Sequence, residues 1–212
     1  MKAYIFDLDG TLLDSMGIWQ QIDIDFLKNR GITAPADYIE AITAMTFQET
    51  ALYTINRFGL SDSIESLKQE WYEMAKYAYG HTVLLKPFAK EYLLALRKNE
   101  VKLAVATSLP SNLIELSLRN HDIYGLFDAI CTTEEVGTGK SCPDVFTLVA
   151  KKLDVQPSDC LVFEDILEAV KSAKSIGMSV CGVYDKSSNA NWGKIKQAAD
   201  FSIIDFKDAP LP

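Results

Sequence analysis

The hydrophobic and polar positions change rhythm twice along the chain. A short apolar run, Ala3-Tyr4-Ile5-Phe6, stops abruptly at Asp7. Its β-branched and aromatic content, closed by a charge, predicts a buried strand. From Ser15 to about Gly80 the apolar residues instead recur at helical spacing. Ile18, Trp19, Ile22, Phe26 and Leu27 run up to Gly31, a C-terminal stop. Pro35 can open a second helical stretch carrying Ile39, Ile42 and Met45, then Ala51, Leu52, Ile55 and Phe58. A break is expected across Thr43 to Gln48, where Thr, Met and Phe cluster. Ser61-Asp62-Ser63-Ile64-Glu65 reads as an N-terminal cap. It opens a third helix running to Tyr79, with Leu67, Trp71, Met74 and Ala78 on one face. These aromatics and methionines read as the core of a helix bundle.

After Pro87 the rhythm becomes alternating helix and strand. Helices at Phe88 to Asn99, Asn112 to Arg119, Asp144 to Lys152, Leu167 to Ile176 and Trp192 to Ala198 alternate with apolar runs. Those runs are Val101 to Ala106, Asp128 to Cys131, Cys160 to Phe163, Met178 to Val183 and Phe201 to Ile204. Such alternation predicts βαβ units with right-handed crossovers, and so an α/β fold on a doubly wound, mainly parallel sheet. The helical stretch interrupts this fold just after its first strand. The expected division is an α/β core of residues 1–14 and 81–212, with a helical domain of residues 15–80.

Composition narrows the function. A chain of 212 residues, 48% of them hydrophobic, can bury a substantial core. A net charge of -8 argues against nucleic-acid and anionic-membrane partners. No apolar stretch approaches the roughly 20 residues that span a bilayer. Met1-Lys2-Ala3 leads straight into the strand, with no room for a signal peptide. The cysteines Cys131, Cys142, Cys160 and Cys181 form no CxxC pair, and three lie in or beside apolar runs, as expected of reduced thiols in a cytoplasmic protein. His81 and His121 sit in unrelated contexts and are given no catalytic role.

The candidate chemistry gathers at the ends of the predicted strands. In an open α/β sheet, ligands bind beyond the carboxyl ends of the strands. Asp7 and Asp9, two apart in extended chain, can project toward the same side there. Two close carboxylates repel unless they share a cation or a proton, and oxygen ligands suit Mg²⁺; an Asp-Gly turn with two solvated acids is the competing reading. Thr107-Ser108 follows the second strand, Lys140 lies in the loop after the third, and Glu164-Asp165 follows the fourth. Each has a plain structural reading: a helix cap, a solvated lysine, acids favouring a helix dipole. Together on one edge they suit metal-assisted phosphoryl transfer, in which cation and lysine neutralise phosphate oxygens while hydroxyl and backbone N–H groups hold them.

Asp7-Leu8-Asp9-Gly10-Thr11, Thr107 after an apolar strand, Lys140 followed by Pro143-Asp144, and Glu164-Asp165 after another apolar strand occur here in a specific order. In that order the chain resembles the haloacid dehalogenase superfamily, in the subgroup with a helical cap inserted after the first strand. The likeness covers essentially the whole length. Within the superfamily it is similar to β-phosphoglucomutase and phosphoglycolate phosphatase-like proteins. The resemblance implies a Rossmann-like core with a helical cap and a Mg²⁺-dependent phosphatase acting on a small phosphorylated metabolite. Asp7 would be the nucleophile that forms an aspartyl-phosphate, and Asp9 the general acid/base. Thr107, Ser108 and Lys140 would bind the phosphoryl group. Asp7, Asp165 and the Asp9 carbonyl would hold the metal, with Glu164 acting directly or through water. Ile166 departs from the small polar residue that many relatives carry. Substrate reading falls to the cap: Trp19, Gln20, Asp23 and Thr43 to Gln48, chiefly Thr43, Met45, Thr46 and Phe47. No obligatory protein partner is expected. A sugar phosphomutase would share every core residue, a metal-free dehalogenase would not need Asp9 or Glu164-Asp165, and a non-catalytic phosphate-binding regulator would not need the intact acids.

Overall fold

The computed structural model describes residues 1–42 and 45–212, with Gln20 described without its side chain. Thr43, expected to read substrate, therefore lies outside the described residues, as does the Gln20 side chain. Among the described residues, the strands and helices in chain order begin with β1 (Ala3–Phe6), β2 (Leu13–Asp14), α1 (Met16–Lys28), α2 (Ala36–Ile42), α3 (Phe47–Phe58), α4 (Ile64–His81) and β3 (Leu84–Leu85). They continue with α5 (Ala89–Lys98), β4 (Lys102–Thr107), α6 (Ser111–Asn120), β5 (Ala129–Thr132), α7 (Thr133–Val136), α8 (Asp144–Leu153) and β6 (Cys160–Glu164). The last are α9 (Leu167–Ser175), β7 (Ser179–Val183), α10 (Trp192–Ala198) and β8 (Phe201–Ile203).

One six-stranded sheet runs in the order β5-β4-β1-β6-β7-β8, every neighbour parallel. Its inner strands read as continuous apolar runs because both faces are covered. Alternate side chains go to opposite faces. Tyr4, Phe6, Leu103, Val105, Leu161 and Phe163 form one layer with Leu93 and Leu96 of α5 and Leu113 and Ile114 of α6. Phe6 stacks on Phe163 there, ring centroids 4.7 Å apart. Ala3, Ile5, Ala104, Ala106 and Val162 form the other layer with Val145, Phe146 and Val149 of α8 and Val170 and Ala173 of α9.

The helices α1 to α4 leave the sheet after β1 and return before β4. The two crossing segments pair with each other, β2 against β3, with Leu13 opposite Leu85 and Asp14 opposite Leu84. Pairs this short carry no sequence signature, and this one was not expected. α1, α3 and α4 pack through Phe26, Ala51, Leu67 and Trp71 into the same apolar cluster as the aromatic face of the sheet. α4 lies against α6, and a Cβ at Gly80 would stand 3.4 Å from Leu116. Among the described residues no helix is long and apolar enough to cross a membrane.

Candidate active site

Parallel strands end on one edge, so register decides which side chains meet. Phe6 pairs with Val105 on one side and Phe163 on the other. The next residue, Asp7, donates its N–H to the Phe163 carbonyl at 3.1 Å. Its neighbours at the ends of the flanking strands are Thr107 and Glu164. Asp7, Glu164 and Asp165 are buried, and ligand oxygens of all three lie within 4.8 Å of one another. Lys140, 3% exposed, enters this cluster from the loop after α7. Its Nζ is 2.5 Å from Asp7 Oδ1 and 2.5 Å from Glu164 Oε1. Burial alone would lower the lysine, but the two carboxylates hold it above its ordinary value. Glu164 also accepts from the N–H groups of Asp165 at 3.1 Å and Ile166 at 3.3 Å.

Asp165 is the least satisfied member of the cluster. Its Oδ1 accepts from the Thr11 hydroxyl at 2.9 Å, while its buried Oδ2 has no hydrogen-bond partner among the described residues. Burial, reinforced by Glu164, Asp7 and Asp185, pushes this acid well above the carboxylate range. A buried oxygen without a donor costs free energy, and three carboxylates facing one ammonium leave negative charge uncompensated. The donors are all hard oxygens, so the cluster fits a divalent cation of the Mg²⁺ or Ca²⁺ type. Gly10 keeps the space open: a Cβ there would stand 2.4 Å from Asp165 Oδ2, and its φ is +79°.

Asp9 stands apart from that cluster. Its carboxylate accepts from Ser15 Oγ at 2.6 Å, from Trp19 Nε1 at 3.2 Å and from the Tyr79 hydroxyl. Burial pushes it up to about 6 against those three donors, and the nearby Asp7 charge adds to the rise. An acid poised near neutrality can both give and take a proton. The Asp9 side chain is committed to these three donors, and the ligand expected of this residue is its main-chain carbonyl. Sequence reasoning missed Ser15 and Tyr79. Tyr79 lies at the end of an apolar helical stripe and reads as bundle core. Ser15 stands at the N-cap of α1, yet its hydroxyl makes no cap bond and serves Asp9 instead.

Thr107 and Ser108 flank the acids. Thr107 Oγ1 accepts from the Leu109 N–H at 3.2 Å, and Ser108 Oγ lies 3.2 Å from the Thr133 hydroxyl. With Asp7, Asp9, Lys140 and Asp165 they line a cleft of about 760 Å³. Trp19, Asp23, Met45 and Phe47, expected from the sequence, line its helical wall, together with Trp71. Trp19 packs on Phe47 at 6.0 Å and on Tyr79 at 5.8 Å. Thr46 is used differently. It caps α3, accepting from the Glu49 N–H at 3.0 Å while Glu49 accepts from the Thr46 N–H at 2.7 Å, a reciprocal capping box.

A doubly wound α/β sheet with a helical insertion after β1 brings acids and a lysine together at its carboxyl edge, where open α/β sheets bind their ligands. The chain belongs to the haloacid dehalogenase-like hydrolases, whose family profile matches residues 4–183. It is 29% identical over 194 residues to a phosphorylated carbohydrates phosphatase of Thermotoga maritima, covering 92% of this chain and 89% of that one. It is 30% identical over 199 residues to a beta-phosphoglucomutase of Bacillus subtilis, covering 86% and 83%. The fold matches the crystal structure of CbbY from Rhodobacter sphaeroides in complex with phosphate at a TM-score of 0.85, with 21% identity over 98% of this chain and 96% of that one.

Proposed function

We propose that the protein is a cytoplasmic, Mg²⁺-dependent phosphatase that hydrolyses a small phosphorylated metabolite through an aspartyl-phosphate on Asp7. The observation that carries this reading is the buried Asp7–Lys140–Glu164 chain beside the partnerless oxygen of Asp165. A carboxylate attacks a phosphate dianion poorly because both are negative. Lys140, already held charged by Asp7 and Glu164, offsets that repulsion. Asp7, Asp165 and the main-chain carbonyl of Asp9 would hold Mg²⁺, with Glu164 in support. When bound, the ion would supply charge neutralisation of the phosphoryl oxygens. Thr107 and Ser108 would hold those oxygens in line with Asp7. Asp9 would give its proton to the leaving oxygen and then take one from water, splitting the reaction into two displacements. Ser15, Trp19 and Tyr79 would fix its carboxyl between those steps. Residues 15–80 would act as a cap over the core of residues 1–14 and 81–212, excluding water and reading the leaving group.

The competing reading is a sugar phosphomutase, favoured by the beta-phosphoglucomutase relative. It passes through the same aspartyl-phosphate but must hold a second phosphate at the cap. Among the described residues Lys140 is the only lysine or arginine that lines the cleft. A desolvated distal phosphate would have no counter-charge there. The deciding assay supplies β-glucose 1-phosphate with a trace of glucose 1,6-bisphosphate. Free phosphate is expected as product. Efficient formation of glucose 6-phosphate with little phosphate released would overturn the assignment. Turnover of p-nitrophenyl phosphate with and without Mg²⁺ separates either enzyme from a non-catalytic binder.

A further inference from the structure

A second buried ion pair lies beside the acid cluster, and the phosphoryl chemistry does not use it. Lys86 follows β3, where the insertion rejoins the core, and Asp185 opens the loop after β7. Lys86 Nζ is 2.6 Å from Asp185 Oδ2, with the two side chains 11% and 5% exposed. Both partners are fixed to segments that border Asp165. The Lys86 N–H donates to the Leu12 carbonyl at 2.8 Å, and the preceding residue, Thr11, donates its hydroxyl to Asp165. Asp185 Oδ1 accepts from the Ser187 N–H at 2.7 Å and from the Ser187 hydroxyl at 2.6 Å. Ser187 and Ser188 line the cleft with Asp165. The Asp185 charge is one of those that push Asp165 up.

As a mere staple this pair is a poor device. Two buried charges are costly to desolvate, and an apolar pair of similar volume often holds a fold as well or better. Burial alone would raise Asp185, yet Lys86 and Ser187 hold it below the carboxylate range, so it stays charged. The charge balance of the site gives that charge a use. Asp7, Glu164 and Asp165 set three carboxylates against the one ammonium of Lys140, which leaves two negative charges, the complement of one divalent cation. Asp185 alone would add a third, and Lys86 cancels it. We propose that Lys86 and Asp185 are positioning residues for the cation, an outer pair that sets the charge around the acid cluster, Asp185 tightening the hold on a divalent ion and Lys86 loosening it. This rests on the cation reading of the cluster given above. Charges in a poorly hydrated interior act on one another beyond contact distance, so neither residue needs to touch the ion.

The test titrates Mg²⁺ against the full chain at fixed pH and takes the half-saturating concentration from the rise in Tm, with Mn²⁺ binding followed by EPR as a second readout free of turnover. Lys86→Met is expected to bind either ion about tenfold more tightly and Asp185→Asn about tenfold more weakly, the scale seen for residues that support metal ligands without binding the metal. The double variant, with neither charge, is expected to return close to the parent affinity. Each single variant keeps partners for the charge that remains: Asp185 retains both Ser187 donors, and Lys86 retains the Tyr184 carbonyl at 3.4 Å. The titration midpoint does not depend on the fraction of folded protein. Should one single variant give no melting transition, the sign of the shift in the other decides. Parent-like affinity in both single variants, or weaker binding in both, would overturn the proposal and leave the pair a tie between hinge and core. A parent protein whose Tm responds to neither Mg²⁺ nor Mn²⁺ would remove the cation reading itself, and this proposal with it.

Discussion

At the scale of the residue, Asp7 and Asp23 are buried acids in opposite situations. Asp7 has Lys140 at 2.5 Å. Replacing it with asparagine changes few atoms, and Lys140 keeps Glu164 as a partner. Asp7→Asn is expected to fold and to lose roughly 10³-fold or more of kcat, as when a nucleophile is removed elsewhere. Substantial activity with unchanged metal dependence would move the nucleophile to another carboxylate. Among the described residues Asp23 makes no hydrogen bond or ion pair, and burial raises it from an ordinary 3.8 to about 7. The folded state therefore binds this proton more tightly than the unfolded chain, so stability falls as pH rises through that interval. Asp23→Asn removes this dependence. Thermal unfolding of the two proteins is expected to show the variant more stable at pH about 8, by on the order of 4 kcal/mol at most, with the gap closing only as the pH falls below about 4. A gap constant with pH would show that Asp23 is not the titrating group.

At the scale of the element, strands and their ends were the legible part of the sequence. The runs at Ala3–Phe6, Lys102–Thr107 and Cys160–Glu164 announce themselves because both faces of the sheet are covered, and a charge or hydroxyl closes each one. What joins the elements was not legible. The β2–β3 pair has too few residues for a period, Tyr79 is indistinguishable from its bundle neighbours, and the task of Thr46 depends on where α3 begins. The turn after β1 has a sharper requirement. Gly10 has a φ of +79° and Asp165 Oδ2 at 2.4 Å from where a Cβ would be. Gly10→Ala is expected to displace Asp165 and to cost roughly 1–2 kcal/mol for the left-handed backbone alone. The half-saturating Mg²⁺ concentration should rise in a metal titration of activity. Unchanged metal affinity would mean that the turn does not shape the cation site.

At the scale of the whole molecule, the acid cluster ties separate segments together: Asp7 after β1, Glu164 and Asp165 at the end of β6, and Lys140 from the loop between. A cation bound there binds only the folded chain and stabilises it by mass action. Chelation is expected to abolish turnover and lower Tm, Mg²⁺ to restore both, and Ca²⁺ to restore Tm without turnover, because its looser geometry misaligns attack. Asp165→Asn should erase the Mg²⁺-dependent rise in Tm, and full activity in EDTA would sink the metal dependence. The position of β1 has a consequence for how the chain comes into being. β1 is the centre of the sheet, between β4 and β6, yet both neighbours follow it along the chain, β6 beginning only at Cys160. During synthesis the four helices follow β1 out of the ribosome before β4 is made, and α1 and α3 both pack against α4 within the insertion. The insertion is therefore expected to fold early, while the strand in front of it waits as an unpaired apolar edge until β4 arrives. Nascent chains stalled before Lys102 should be protected from protease within 16–81 and open to it at β1.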